Sequence, residues 1–171
     1  MVIGNIGAGK TTFAKALHDI TKIKIYHLDN LFFKTRKEIT PHEEWVEFVT
    51  DLSQKETWIL DGNYPNTLLI RAERADTIFI LDPPIVSCYF NLIKRNLLYL
   101  LLFRKSRNDS PLFNFDLFEF GIYRRIWQFK SKQKEYYSEI FTMQKNIYHF
   151  KSLKETQQFI IKLKETFNEP K

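Results

Sequence analysis

Near the start of the chain, Gly4-Asn5-Ile6-Gly7-Ala8-Gly9-Lys10-Thr11 follows the pattern G-x-x-x-x-G-K-T of a phosphate-binding loop. Glycines there let the backbone turn its N–H groups inward onto an anion. A helix starting at the end of the loop adds the positive end of its dipole to the same cavity. The spacing predicts that Lys10 reaches the β- and γ-phosphates of a nucleoside triphosphate and that the Thr11 hydroxyl ligates magnesium. Thr12 belongs to the same binding segment. The chemistry predicted is phosphoryl transfer, which needs an electropositive cradle, a divalent cation, an aligned acceptor and exclusion of water.

Three carboxylates are candidates for the remaining parts. Asp82 closes the hydrophobic run Ile78-Phe79-Ile80-Leu81-Asp82, and an Asp at a strand end can hold magnesium directly or through water. It also precedes two prolines, where an Asp serves equally as a turn cap. Asp61 begins Asp61-Gly62-Asn63-Tyr64. It can order a magnesium-bound water, Gly62 permits close approach by a substrate, and Asn63 and Tyr64 offer polar contacts; Asp-Gly is also a common turn pair. Asp29 follows Tyr26-His27-Leu28. It can take the acceptor hydroxyl's proton or orient the acceptor. His27 itself reads as packing against the sheet.

Among the cations, Arg71 is expected to clamp an anionic acceptor, with Arg74 a weaker candidate. Arg95, Arg124 and Arg125 are expected to close on the donor phosphates and offset charge in the transition state, from helices flanking a basic flap with Arg104, Lys105 and Arg107. Each is equally readable as a solvated helix charge. Phe32, Phe33 and Trp45 can wall an acceptor site, with core packing the alternative for Trp45.

The elements that position these residues alternate between strand and helix. Short strands are predicted at 1–3, 23–28, 58–60, 77–81 and 146–150. Helices are predicted at 10–19, 40–52, 67–74, 84–103, 116–140 and 152–167. Residues 30–39 read as a loop and 104–115 as a mobile flap or lid. Thr40-Pro41-x-Glu43 and Ser152 with Glu155 have the form of capping boxes. Unbroken apolar strands such as 77–81 suit the middle of a parallel sheet, and right-handed crossovers then place helices on both faces. Ligands collect beyond the carboxyl ends of such strands, where Asp29, Asp61 and Asp82 all fall.

The length of 171 residues suits a single domain, 1–171, with a sizeable core. Sixteen phenylalanines predict a core or pocket packed with rings. One cysteine leaves no intrachain disulfide and fits a reducing cytoplasm. Met1 opens directly on strand-like sequence, which leaves no room for a signal peptide. The apolar run Leu97 to Phe103 is too short to span a bilayer. A net charge of +6 permits polyanionic partners, nucleic acid included. No Asn-Lys-x-Asp segment for reading guanine is found.

The loop Gly4 to Thr11, Tyr26-His27-Leu28-Asp29, Trp58-Ile59-Leu60-Asp61-Gly62-Asn63-Tyr64, Arg71-x-x-x-Ala75-Asp76, Ile80-Leu81-Asp82-x-Pro84, Cys88 and Lys94-Arg95 together resemble the adenylate-kinase-related topology modulation proteins. These stand within the P-loop kinase superfamily, with the nucleoside monophosphate and shikimate kinases. The likeness is close over residues 2–95 and looser over 116–140 and 147–150. It implies a three-layer α/β P-loop kinase fold with a five-stranded parallel sheet in the order 2-3-1-4-5 and a small lid. It also implies ATP or a similar donor, Mg2+, and a small acceptor such as a nucleotide or nucleoside. The alternative is a regulatory NTPase or DNA-interacting protein affecting DNA topology. A monomer or a homodimer is expected. The chain departs from the resemblance in its abbreviated first strand and in the few arginines of Arg104-Lys105-Ser106-Arg107-Asn108-Asp109.

Overall fold

The computed structural model describes residues 1–32, 40–102 and 120–168. The segment 104–115 expected as a lid, with Arg104, Lys105 and Arg107, and residues 33–39 of the expected loop, Phe33 included, lie outside the described residues. The elements in order are β1 (Val2–Gly4), α1 (Lys10–Thr21), β2 (Ile25–His27), α2 (Leu28–Phe32), α3 (His42–Ser53), β3 (Ile59–Asp61), α4 (Leu68–Arg74), β4 (Thr77–Leu81), α5 (Ile85–Leu102), α6 (Phe120–Thr142), β5 (Asn146–Phe150) and α7 (Leu153–Asn168). A 3-10 turn, Pro65–Thr67, leads into α4.

All strand pairs are parallel, in the order β2-β3-β1-β4-β5. Helices cover both faces, so each strand alternates between two cores. Val2 and Leu81 pack with Phe13, Ala14 and Leu17 of α1, whereas Ile3, Ile78 and Ile80 pack with Leu68 and Ala72 of α4 and Ile140 of α6. A third cluster, of Leu28, Trp45, Val49, Leu52 and Leu60, holds α3 against β3. The expected rings are concentrated under α1. Phe13 meets Phe79 at 5.1 Å between centroids, and Phe159 of α7 lies 5.4 Å from both Phe79 and Phe150. No helix among the described residues is long and apolar enough to cross a membrane.

Two departures from the predicted elements have local causes. Residues 28–32 form the short helix α2 where the last residue of the second strand, Asp29 and the first residues of the 30–39 loop are predicted. Thr40 does not cap α3: Pro41 takes the N-cap place with no side-chain cap bond, and the Thr40 hydroxyl donates to the Phe32 carbonyl at 2.9 Å. The hydroxyl thus ties the start of α3 back to the end of α2 instead of capping α3. At α7 the capping box forms, with Glu155 N–H donating to Ser152 Oγ at 3.2 Å and Lys151 N–H to Glu155 Oε2 at 2.8 Å.

Candidate active site at the carboxyl ends of the strands

The phosphate loop turns from β1 into α1. Gly7 has φ +78°, and a Cβ there would overlap the Cys88 carbonyl of α5, so only glycine fits. Side-chain amides pin the loop from three sides. Asn5 Nδ2 donates to the Ile126 carbonyl of α6 at 2.9 Å, and Asn91 Nδ2 of α5 donates to the Gly7 carbonyl at 2.9 Å. Asn63 makes a double contact with Gly4, accepting from its N–H at 2.9 Å and donating to its carbonyl at 2.6 Å. β1 and β3 share only the Val2–Asp61 register pair, so Asn63 extends that ladder by one side-chain rung.

No side chain caps α1, so its first-turn N–H groups stay available to an anion. Lys10 Nζ lies back over the loop, donating to the Asn5 carbonyl at 3.0 Å. Ile6 and Gly9 are half-buried, Ala8 is buried and Thr12 is exposed.

Thr11 Oγ1 donates to Asp61 Oδ2 at 2.9 Å, and His27 Nδ1 lies 3.0 Å from the same oxygen. Asp61 is 4% exposed, and its other oxygen, Oδ1, is buried with no hydrogen-bond partner among the described residues. An acceptor-only oxygen left bare beside a threonine hydroxyl is a fit for magnesium or its bound water. Magnesium takes one or two protein oxygens and completes its shell with phosphate and water.

Asp29 stands next to this group. Burial raises its carboxyl above the usual range; the charge of Lys10 opposes that shift, and the Asp61 carboxylate adds to it. The Tyr64 hydroxyl hydrogen-bonds Asp29, and burial pushes that phenol upward as well. Tyr64 has φ +33° and packs its ring 5.0 Å from Phe32 and 4.9 Å from Trp45. Tyr64 also lines a cleft of about 440 Å3, with Phe32, Thr40, Pro41, His42, Trp45, Pro65 and Asn66. Trp45 is both a core residue, 2% exposed, and part of this wall.

Other candidates are placed differently. Arg71 is fully buried and braces the turn after β3. Its guanidinium donates to the carbonyls of Gly62 (2.8 Å), Tyr64 (3.2 Å), Thr67 (3.2 Å) and Asn63. Burial lowers its pKa to about 10. A guanidinium so engaged braces this turn. Asp82 bonds Lys130 of α6, and His149 Nε2 of β5 lies 3.3 Å from it. Arg95, Arg124 and Arg125 are exposed on α5 and α6. Sequence reasoning missed Lys130, His149 and Asn91 and gave His27 no role. Strand adjacency was the available signal for His27, because His27 and Asp61 end neighbouring strands.

No family model and no curated protein matches the chain. Among solved structures, the shikimate kinase from Acinetobacter baumannii, in complex with shikimate, superposes with a TM-score of 0.55 at 15% identity, covering 99% of this chain and 93% of its own. An unliganded sugar kinase from Janibacter sp. gives a TM-score of 0.46 at 14% identity over 96% of this chain and 88% of its own, too distant to carry an argument. The chain therefore shares the overall fold of that shikimate kinase.

Proposed function

We propose that the chain is a phosphotransferase that uses ATP and Mg2+ to phosphorylate a small acceptor bearing a hydroxyl or phosphate group. The observation that carries this reading is the hydrogen bond from Thr11 of the phosphate loop to Asp61 at the end of β3, with Lys10 and Asp29 beside it. In this reading the first-turn amides of α1 and the Lys10 ammonium hold the donor's phosphates. Thr11 Oγ1 and Asp61 Oδ1 hold the magnesium side. When bound, the ion neutralises charge on the transferring phosphoryl group. Asp29 takes the acceptor's proton, and the burial that raises its proton affinity also suits a general base.

The acceptor's apolar body lies in the cleft lined by Tyr64, Phe32 and Trp45, with its reacting group extending to Asp29. A nucleoside or nucleotide has the flat ring these walls suit. Gly62 leaves room at the turn, and Asn63 acts by holding Gly4 in place. Asp82 reaches the metal side on release from Lys130, and Arg95, Arg124 and Arg125 supply charge to the donor. The motif resemblance to the topology modulation proteins supports the same chemistry.

The test is a screen of nucleosides, nucleotides, polyols and hydroxy acids for stimulated ATP consumption, with Lys10→Ala as control. Loss of one preorganised donor in such a site lowers turnover about 100-fold or more. Acceptor-stimulated turnover that survives in Lys10→Ala would refute the assignment.

A further inference from the structure

His27 lies at the end of β2, directly opposite Asp61 in the parallel register of β2 and β3. Neighbouring strands stand about 4.8 Å apart and register partners share a face, so the two side chains meet without any loop to arrange them. The contact is 3.0 Å, from His27 Nδ1 to Asp61 Oδ2. A carboxylate only accepts hydrogen bonds, so Nδ1 carries the proton of this bond. Thr11 Oγ1 donates to the same oxygen at 2.9 Å. Two donors thus converge on Oδ2, one from the loop and one from the sheet, while Oδ1 stays buried and unpartnered among the described residues.

We propose that His27 is a positioning residue that fixes the Asp61 carboxylate so that Oδ1 faces the magnesium of the bound nucleotide. Without His27 the carboxylate keeps a single donor among the described residues, Thr11, whose hydroxyl is itself to be drawn to the ion. The group is then free to rotate about its Cβ–Cγ bond. A ligand held by an outer partner loses about 10–100-fold in metal affinity when that partner is removed. The inference rests on the magnesium-dependent reading above, and the experiment separates the two.

The experiment titrates Mn2+, as a probe for Mg2+, into protein saturated with a non-hydrolysable ATP analogue, counting free Mn2+ by electron paramagnetic resonance. No turnover enters the measurement. His27→Asn places its amide nitrogen where Nδ1 stands, and His27→Gln places its own nearer Nε2. The expected result is near-native Mn2+ affinity for His27→Asn and a 10–100-fold loss for His27→Gln and His27→Leu. Analogue affinity in EDTA should be unchanged in all three. Equal Mn2+ affinity in His27→Asn and His27→Gln would overturn the proposal, as would native affinity in a folded His27→Leu. Asp61→Asn is the control. If it weakens Mn2+ binding while His27→Gln does not, the positioning role alone fails. If Asp61→Asn itself binds Mn2+ normally, the metal reading fails with it.

Discussion

Replacing Asn63 with alanine separates two roles that one side chain can play in a site of this kind. Its amide makes two hydrogen bonds to Gly4, of 2.9 and 2.6 Å. Gly4 is buried, so its peptide groups have little water to turn to when the amide is gone. Each neutral bond contributes about 0.5–1.5 kcal/mol net, and two together about 1–3 kcal/mol. In a chain of this length 1 kcal/mol moves the melting midpoint by about 2–4 °C, so a loss near the middle of the range lowers it by about 4–8 °C. Asn63→Asp should lose at least as much at neutral pH. Its carboxylate still accepts from Gly4 N–H but turns a second oxygen toward the Gly4 carbonyl. The assay is denaturant unfolding of both variants beside nucleotide affinity, which should fall with stability because Gly4 opens the phosphate loop. If Asn63→Ala unfolds within about 0.5 kcal/mol of the native protein while acceptor turnover collapses, Asn63 is a substrate contact. The clip described here would then be refuted.

Asp29 and Arg71 give two further tests. The Asp29 carboxyl is raised by burial, so its effect on stability is most favourable below the unfolded pKa and is lost as pH rises through the folded one. Asp29→Asn should therefore melt higher than the native protein at neutral pH, with the gap closing toward pH 4; a gap that stays constant or widens on acidification would contradict this. Arg71→Leu strips the charged donor from the carbonyls of Gly62, Asn63, Tyr64 and Thr67. It should destabilise by at least about 3 kcal/mol in urea unfolding. Arg71→Lys should not restore that stability, because an ammonium cannot fork to several carbonyls.

The parts of the molecule that were readable in advance are those where the signal is local. The strands Thr77–Leu81 and Asn146–Phe150 have the predicted bounds, since an unbroken apolar run between turn residues leaves few alternatives. Position along the chain also places Asp29 and Asp61 near the loop, because Asp61 ends β3 and Asp29 follows the end of β2 by two residues, in α2. Direction was not readable. Arg71 and Asn63 carry donors suited to a substrate, but spacing does not say whether those donors face a cavity or the backbone of the next turn. His27 and Asp61 are 34 residues apart, so their contact exists only once β2 lies beside β3. The bond between Lys130 and Asp82 is of the same kind. Thr40 shows a different limit: its capping pattern is intact in the sequence, yet Pro41 takes the N-cap place and the Thr40 hydroxyl donates to the Phe32 carbonyl.

That same hydroxyl has a consequence for how the protein can diversify. Thr40 fastens to Phe32 twice, through Oγ1 at 2.9 Å and its backbone N–H at 3.2 Å. Residues 32 and 40 are thereby held side by side. Doubling the length of a connecting segment costs only about 0.6 kcal/mol of closure entropy. Insertions and exchanges between Phe32 and Thr40 can thus be sampled by evolution, or by a designer, while Phe32 and the start of α3 keep their places.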